Sequence, residues 1–278
     1  MLYFNKSKIS WKSTKGFLMF LEECEIIENI KISEDKYLLK IKSEKSYKYT
    51  KAGQFFMLKC EKYLRRPISV HNADKNILEF YYQVKGKGTK NLSKMSEIVN
   101  IHGPLGNGFE TNIKNKNLLI VAGGMGIAPF KFLINKLKEK NNIALIFGGA
   151  NESGIKIIKY FDTENIKLYI TTDDGSVGDK CNSVDKTKEL LKENNFDLIY
   201  TCGPEIMMKR IIKLALEKNI KCFASMERRM ACGVNACLGC NIEVFDNLNL
   251  NNFENEKKIK NVKVCHDGPV FDAKYLAI

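Results

Sequence analysis

The sequence has no long hydrophobic run. A membrane-spanning helix needs about 18 or more consecutive apolar residues, and no such stretch occurs in this chain of 278 residues. The longest apolar run near the start, residues 16–21, is too short for the core of a signal peptide. We therefore expect a cytoplasmic protein that does not associate with a membrane.

Histidine and arginine are both scarce. The three histidines, His71, His102 and His266, are far apart in the chain and suggest no Ser-His-Asp arrangement, so we assign no catalytic residue. The formal net charge is +13, but it comes mainly from lysines scattered through every segment. Arginine, the better reader of bases and phosphates, occurs only at 65, 66, 210, 228 and 229. We expect no nucleic-acid partner.

Cysteine, in contrast, is plentiful, with nine residues. In a reducing compartment this favours metal or redox chemistry over disulfides at whichever cysteines cluster. Four stand alone in sequence and are expected to be small buried side chains without chemistry: Cys24, Cys60, Cys181 and Cys222. Four others form one constellation: Cys232, Cys237, Cys240 and Cys265.

The spacing within this constellation is C-x4-C-x2-C, followed after 24 residues by the fourth cysteine. This is the plant-type ferredoxin spacing and predicts a [2Fe-2S] cluster. The intervening Gly233, Ala236 and Gly239 are small enough for backbone N–H groups to approach the sulfur atoms. A four-cysteine zinc site in a non-catalytic binding module is the alternative, but such sites normally use two C-x2-C pairs, and only one is present.

The chain divides into three segments. Residues 19–115 contain short β-rich runs, such as 36–41 and 55–58, separated by Gly, Asn and Lys turns, which predict an antiparallel β-barrel domain. Residues 1–18 lack a convincing period and are expected to be a loose extension. Residues 226–278 are expected to form a small cluster domain, in which the polar stretch 247–260 is a surface loop.

The middle segment, residues 116–225, alternates strands and helices and predicts a doubly wound parallel sheet of the α/β class. The predicted strands are 118–122, 144–147, 167–171, 198–201 and 222–225. The helix after the first strand carries one apolar stripe, formed by Ile127, Phe130, Leu133, Ile134 and Leu137.

Two glycine-containing loops of this sheet are candidates for nucleotide binding. Gly123, Gly124 and Gly126 follow the first strand, where glycines allow close backbone approach and a helix N-terminus favours a diphosphate. Cys202 and Gly203 end the fourth strand at the same sheet edge, where a nicotinamide fits. The first loop departs from G-x-G-x-x-G. Asp173 and Asp174 are either turn residues or ribose ligands.

The barrel segment carries two weaker motifs, Arg66-Pro67-Ile68-Ser69 and Gly86-Lys87-Gly88-Thr89. An arginine can pair with a pyrophosphate, and glycine amides followed by threonine can bind phosphate oxygens. A simple hairpin turn is the alternative for the glycine motif. Tyr81 and Tyr82 alternate along a strand, so one is expected in the core while the other is available to a cofactor.

Together these motifs resemble the ferredoxin-reductase superfamily. The residues around the cysteines, E-R-R-M-A-C-G-V-N-A-C-L-G-C at 227–240 and V-C-H-D-G-P-V-F at 264–271, are similar to the electron-transfer subunits of class 1B dihydroorotate dehydrogenases. The resemblance covers nearly everything after Met19. It implies FAD and one [2Fe-2S] cluster, with NAD as electron acceptor.

The resemblance also implies a partner and site residues. The partner is an FMN-containing catalytic subunit that oxidises dihydroorotate in pyrimidine biosynthesis, in a heterotetramer of two copies of each. Electrons run from FMN through the cluster to FAD and NAD, and this chain alone does not oxidise dihydroorotate. The cysteines ligate the cluster, and the implied FAD contacts are Arg66, Pro67, Ile68, Ser69, Tyr81, Tyr82, Gln83, Gly88 and Thr89.

Two positions depart from the pattern. The wider superfamily favours an aromatic residue where Ile68 stands, so flavin stacking must come from elsewhere. Asn235 replaces a frequent glycine in the cluster loop, and asparagine tolerates left-handed backbone better than most residues. The alternative function is the related subunit of an NADH-dependent ferredoxin:NADP oxidoreductase or a sulfide dehydrogenase.

Overall fold

The computed structural model describes residues 9–12, 18–246 and 258–278. Strand β1 (Ile9–Lys12) pairs antiparallel with β2 (Leu18–Lys31). The expectation of a loose extension is therefore wrong for residues 9–12. Backbone hydrogen bonds along a neighbouring strand hold this short strand, and they require no side-chain period that the sequence would reveal.

A curled antiparallel sheet forms the first half of the chain. Its further strands are β3 (Lys36–Lys42), β4 (Phe55–Lys59), β5 (Arg65–Ser69), β6 (Asn72–Asp74), β7 (Ile77–Gln83) and β8 (Ile98–Leu105). The order is β5-β4-β8-β2-β3-β7-β6, and β5 contacts β7 across the opening, so the sheet curls into a half-barrel around an apolar core. Two short helices, α1 (Ser46–Tyr49) and α2 (Lys87–Leu92), accompany it.

The predicted parallel sheet is confirmed. Its strands are β9 (Asn117–Gly123), β10 (Asn142–Gly149), β11 (Ile166–Thr172), β12 (Leu198–Cys202) and β13 (Lys221–Ser225). The helices are α3 (Phe130–Leu137), α4 (Glu152–Ile155), α5 (Ser183–Glu193) and α6 (Glu205–Glu217). The predicted stripe of α3 and the preceding 3-10 turn at 124–127 is fully buried.

The order β11-β10-β9-β12-β13 places the reversal of strand order between β9 and β12. Ligands of open α/β sheets bind beside the carboxyl ends of the strands at such a reversal. The loops that begin at Gly123 and Gly203 both lie there.

The C-terminal segment contributes a hairpin, β14 (Asn241–Phe245) and β15 (Ile259–Lys263), a helical turn α7 (Val264–Asp267) and a short strand β16 (Val270–Asp272). Residues 259 and 260 of the expected surface loop are thus in a strand, while 247–257 lie outside the described residues. Strand β16 pairs antiparallel with β13, so this segment extends the parallel sheet. In the part of the chain that the structure describes, no helix is long and apolar enough to cross a membrane.

Candidate functional site

The hairpin β14–β15 brings two of the four clustered cysteines together. Asn241 pairs with Lys263, so Cys240 and Cys265, which lie just beyond the two strand ends, become neighbours. The backbone N–H of Val264 donates to the carbonyl of Cys240 at 3.0 Å. The thiols of Cys240 and Cys265 lie within hydrogen-bonding reach of each other.

The other two cysteines form a second pair within the loop. The thiols of Cys232 and Cys237 also interact directly. Two backbone N–H groups donate to Cys232 Sγ, from Val234 at 3.5 Å and from Cys237 at 3.3 Å. The small residues of the loop thus allow the approach of N–H groups to sulfur that the sequence predicts, and such bonds stabilise a negatively charged thiolate.

The four thiols are therefore arranged two by two. Within residues 9–12, 18–246 and 258–278, no three His, Cys, Asp or Glu side chains converge on a single metal position. A [2Fe-2S] cluster takes two ligands at each of two irons, whereas a zinc site takes four at one ion. The pairing of Cys232 with Cys237 and of Cys240 with Cys265 matches the two protein ligands that each iron of such a cluster takes.

The two pairs differ in exposure, and Cys265 and Cys237 have opposite pKa shifts. Cys240 and Cys265 are buried, whereas Cys232 and Cys237 are partly exposed. Burial raises the pKa of the Cys265 thiol to about 12. A hydrogen bond from the backbone of Gly239, together with contacts to Cys232, lowers the pKa of the Cys237 thiol to about 7. Because metal ligation requires thiolates, the lowered pKa favours the ligating form of Cys237.

Backbone conformation holds the loop in place. Gly233 has φ of +69° and Asn235 has φ of +67°, so both adopt the left-handed conformation that the sequence suggested for Asn235. A Cβ atom at Gly233 would lie 2.7 Å from Cγ of Met57 on β4. The cluster loop is thus pressed against the curled sheet at this glycine.

An open cleft of about 250 Å³ lies along β5 and β7 of the curled sheet. It brings together eight of the nine residues that the resemblance implies for FAD, namely Arg66, Pro67, Ile68, Ser69, Tyr81, Tyr82, Gln83 and Thr89. The ninth, Gly88, lies behind Arg66 rather than on the cleft surface. These residues remain predicted FAD contacts.

Gly88 makes room for the arginine. A Cβ atom at Gly88 would lie 2.6 Å from Nε of Arg66, so any other residue would displace the guanidinium. Nη2 of Arg66 also pairs with Oε2 of Glu61 at 3.2 Å. The motif from Gly86 to Thr89 is not a hairpin turn, because it opens helix α2, where the Thr89 hydroxyl accepts hydrogen bonds from Lys85 and Gly86. The Arg66 guanidinium, together with the start of α2, fits a cofactor that carries a diphosphate.

Both tyrosines of β7 line the cleft, although alternation predicted that only one would be available to a cofactor. Each is 2% exposed, and burial raises the pKa of both phenols. The Tyr82 hydroxyl donates to Oδ1 of Asn29 at 2.9 Å, and Asn29 in turn donates to Leu92 at the end of α2. The curl of the half-barrel lets both faces of β7 reach the cleft wall.

The sequence interpretation missed the opposite wall of this cleft. It consists of Phe55, Lys85, Met125, Ala128, Ser225, Met226, Glu227, Arg228, Met230 and Pro269. Phe55 and Lys85 belong to the curled-sheet segment, Met125 and Ala128 follow β9, and Ser225 ends β13. The others lie on either side of the cluster cysteines in sequence. Residues 227–230 and Pro269 belong to the two cysteine motifs, but nothing in those motifs indicates that their side chains line this cleft.

A second cavity, of about 440 Å³, lies at the carboxyl ends of β9 and β12. Gly123 and Gly124 line it, as the sequence predicts, whereas Gly126, Cys202 and Gly203 do not. These three pack behind it: a Cβ atom at Gly126 would lie 2.2 Å from the Cys202 carbonyl oxygen, and one at Gly203 would lie 2.9 Å from the Gly123 nitrogen. The close packing fits a backbone that must approach a diphosphate.

The sequence left the roles of Asp173 and Asp174 undecided and did not predict Arg210 at this cavity. Asp173 lines it, while Asp174 instead accepts a hydrogen bond from Ser176 N at 2.9 Å in a turn. Arg210 on α6 also lines it and supplies a fixed positive charge, which the sequence interpretation did not assign. The Cys202 thiol is fully buried, and burial raises its pKa.

A third cavity, of about 690 Å³, lies at the opposite, amino edge of the parallel sheet, with asparagines such as Asn117 and Asn142 in its lining. It is larger than the other two but contains none of the predicted site residues. The carboxyl edge remains the candidate site, since ligands of such sheets bind there.

Comparisons with known proteins agree with this geometry. Residues 227–277 match the family model described as the iron-sulfur cluster binding domain of dihydroorotate dehydrogenase B. Residues 120–213 match the oxidoreductase NAD-binding domain.

Three similar proteins span nearly the whole chain. The dihydroorotate dehydrogenase B (NAD(+)) electron transfer subunit of Caldanaerobacter subterraneus subsp. tengcongensis is 36% identical, over 91% of this chain and 96% of its own length. That of Clostridium acetobutylicum is 35% identical, over 89% and 93%. A solved NADH-dependent reduced ferredoxin-NADP oxidoreductase is 30% identical, with a TM-score of 0.78 over 91% of this chain and 89% of its own. The chain belongs to the family of dihydroorotate dehydrogenase B electron transfer subunits.

Proposed function

We propose that this chain is the electron transfer subunit of a dihydroorotate dehydrogenase B and passes electrons from a catalytic partner subunit to NAD⁺. The partner holds FMN, oxidises dihydroorotate and assembles with this chain in a heterotetramer of two copies of each. Membership of the family supports the role, and the three candidate sites support the route within the chain.

The observation that carries this proposal is the shared wall between the cluster loop and the flavin cleft. Met230, two residues before Cys232, lines the cleft together with Met226 and Arg228. Pro269, four residues after Cys265, lines it as well. Electron transfer between two groups requires that they lie close together, and here residues that line the cleft precede and follow the cluster ligands in the chain.

When bound, the cluster supplies one-electron transfer, the flavin couples one-electron to two-electron chemistry, and the nicotinamide takes up hydride. Cys232, Cys237, Cys240 and Cys265 would hold the cluster. The N–H groups of Val234 and Cys237 stabilise negative charge at Cys232, which is in the partly exposed pair. This side of the loop is where electrons from a partner enter.

In the flavin cleft, side chains of this protein would bind and orient FAD. The guanidinium of Arg66, held by Glu61 and the surface of Gly88, would pair with the diphosphate. The buried rings of Tyr81 and Tyr82 give the cleft an apolar wall that excludes water. Gln83 is oriented by its hydrogen bond to Asp35, so its amide is fixed at the edge of the cleft.

At the nucleotide cavity, Gly123 and Gly124 let the backbone approach the NAD diphosphate, and Arg210 supplies a positive charge. Met125 and Ala128 continue from these glycines into the flavin cleft. The nicotinamide and the flavin would therefore meet at this loop.

The test is co-expression with the partner subunit, followed by assay with dihydroorotate and NAD⁺. We expect a stable complex that contains both flavins and iron and forms NADH, which is measured by its absorbance. A complex that reduces NADP⁺ with reduced ferredoxin but not NAD⁺ with dihydroorotate would assign the chain to the alternative oxidoreductase. A colourless chain with stoichiometric zinc would refute electron transfer altogether.

A further inference from the structure

One short segment forms a wall of both cofactor cavities. Gly123 and Gly124 line the nucleotide cavity, while Met125 and Ala128 line the flavin cleft. Helix α3 continues directly from this segment at Phe130. Any displacement of the segment would change the distance between the two bound rings.

A single residue, His71, which lies between strands β5 and β6 of the curled sheet, hydrogen-bonds to this segment at two points. The ring nitrogen Nδ1 of His71 lies 2.7 Å from the carbonyl oxygen of Ala128. The backbone carbonyl of His71 accepts a hydrogen bond at 3.0 Å from the N–H of Phe132, in the first turn of α3. The N–H of His71 donates to Glu79 of β7 at 2.8 Å, so His71 itself is anchored in the curled sheet.

The protonation state of His71 follows from its surroundings. The side chain is fully buried, and desolvation lowers its pKa to about 3, so the ring is neutral at physiological pH. Because a carbonyl oxygen only accepts hydrogen bonds, Nδ1 carries the proton. Its other nitrogen, Nε2, is buried and has no hydrogen-bond partner among the described residues. An unpaired buried polar atom is destabilising, so the hydrogen bond from Nδ1 to Ala128 is the polar contact that this ring makes in return for its burial.

The surroundings of His71 are tight on both sides. Its ring packs at 5.8 Å from the ring of Tyr81, which lines the flavin cleft, and at 5.3 Å from the ring of Phe161. A half-buried ion pair adds a second link between α3 and the curled sheet, because Nζ of Lys131 lies 2.6 Å from Oε2 of Glu79. His71 is thus packed against a flavin-cleft residue and bonded to the wall of that cleft.

We propose that His71 is a positioning residue for hydride transfer between the nicotinamide and the flavin, an inference that rests on the proposed function. In this step the C4–H bond of NADH breaks, and the hydride with both its electrons forms a bond to N5 of FAD. The products are NAD⁺ and the anionic reduced flavin, so no further reactant is needed. His71 does not touch the reacting atoms; it holds residues 124–132 at the distance that the transfer needs.

The experiment measures reduction of bound FAD by NADH in the purified FAD-loaded chain, under anaerobic conditions in a stopped-flow instrument. His71→Leu removes the hydrogen bond to Ala128, and His71→Asn restores an N–H donor near the position of Nδ1. We expect His71→Leu to lower the limiting rate constant at saturating NADH by about 10–100-fold, since misplacement by about 1 Å can cost 10²-fold. His71→Asn should return to within about threefold of the wild type.

The readouts separate positioning from stability. We expect the NADH concentration for half-maximal rate to change little, because His71 does not line the nucleotide cavity. The matched control is Asn135→Ala, which removes a hydrogen bond of 3.3 Å between α3 and Asn72 at the exposed rim, and it should leave the rate constant unchanged. A lower melting temperature of His71→Leu with an unaltered limiting rate constant would overturn the inference.

Two further variants serve the test if His71→Leu loses FAD. If His71→Leu does not retain FAD, His71→Gln, which shifts the donor by one methylene, and Lys131→Met, which removes the second link, replace it. A wild-type rate constant in FAD-loaded His71→Gln would overturn the inference, whereas a slower rate in that variant supports it; Lys131→Met shows whether the ion pair shares the role. Failure of NADH to reduce FAD in the wild type would instead refute the proposed function.

Discussion

The cluster loop and the flavin cleft are built in opposite ways. Three of the four cluster cysteines lie within nine residues of sequence, and the fourth is brought in by one hairpin. The flavin cleft is lined by residues that range from Phe55 to Pro269 and come from both large sheets and the cluster segment. A site made by one loop can be recognised from the spacing of its ligands in the sequence. The lining of a cleft made by several elements is determined by how those elements pack. The following predictions test this contrast.

The largest effect is expected at the cluster. Replacing Cys237→Ser should lower electron transfer from the partner to NAD⁺ by at least about 100-fold, because it removes a ligand rather than an outer-shell partner. Oxidation of NADH with an artificial acceptor should persist, since it needs only the flavin and nucleotide sites. The two activities and the iron content measure this division.

Cys181→Ser is the matched control, because Cys181 is another partly exposed cysteine that stands apart from the cluster. It should change neither activity. If a folded, FAD-loaded Cys237→Ser chain lost both activities, the two sites would not be separable in the way that the contrast requires.

FAD affinity should be sensitive to substitution of Gly88, a residue that does not line the flavin cleft. Gly88→Ala places a Cβ atom 2.6 Å from Nε of Arg66, so we expect the dissociation constant for FAD to rise about 10–100-fold, equivalent to about 1.4–3 kcal/mol of overpacking. Fluorescence titration of the FAD-free chain measures it. Gly86→Ala, where no atom lies within 4 Å of the new Cβ, is the control and should bind FAD normally. Equal affinity for FAD in both variants would contradict the role of Gly88 in making room for the Arg66 guanidinium.

The cluster loop has one point where it too depends on tertiary packing. Gly233→Ala introduces a side chain at φ of +69° and 2.7 Å from Met57, so strain of about 1–2 kcal/mol should weaken cluster retention about 5–30-fold. The rate of iron loss to a chelator measures retention. Gly239→Ala, with its nearest contact at 3.7 Å, should retain the cluster like the wild type. Loss of iron at equal rates would show that Met57 does not restrain the loop.

The last prediction concerns the acid stability of the curled sheet, where the effect per pH unit and per histidine is small. Burial lowers the pKa of His71 to about 3 and that of His102 to about 4, against an ordinary value of 6.5. Below pH 6.5 the two histidines therefore bind protons in the unfolded chain but remain neutral in the folded chain. The free energy of unfolding should be constant above that pH and fall below it, by up to about 1.4 kcal/mol per pH unit for each histidine.

Urea unfolding at pH 7.5, 6 and 5 measures this dependence. His71→Asn should make the fall shallower, because one of the two buried histidines no longer titrates. An unchanged slope in that variant would show that His71 is not the group responsible.

Much of the fold was predictable because its signals are periodic. The five parallel strands and the stripe of α3 were predicted within a few residues, since buried strands and amphipathic helices require apolar side chains at fixed intervals. Strands β1 and β16 were not predicted. Each has four residues or fewer and is held by backbone pairing with a neighbour, which leaves no pattern in the sequence.

The candidate sites divide along the same line. The four cysteines, the glycines of the β9 loop and Arg66 with Gly88 were predicted as site residues from sequence, because the chemistry invoked for them demands particular residue types at fixed spacing. Glu61, Arg210 and the methionines at 226 and 230 were missed, since nothing in their local sequence distinguishes them.

By itself, the sequence determined which cofactor chemistry the chain offers, because thiolate ligands and glycine-rich phosphate loops are defined by residue type and short-range spacing. Only the tertiary structure decided how the sites are joined. It paired the cysteines two by two, placed Met230 in the lining of the flavin cleft, and brought His71 onto the loop between the flavin cleft and the nucleotide cavity. Such contacts join residues that are distant in the chain, and they exist only after both sheets have packed together.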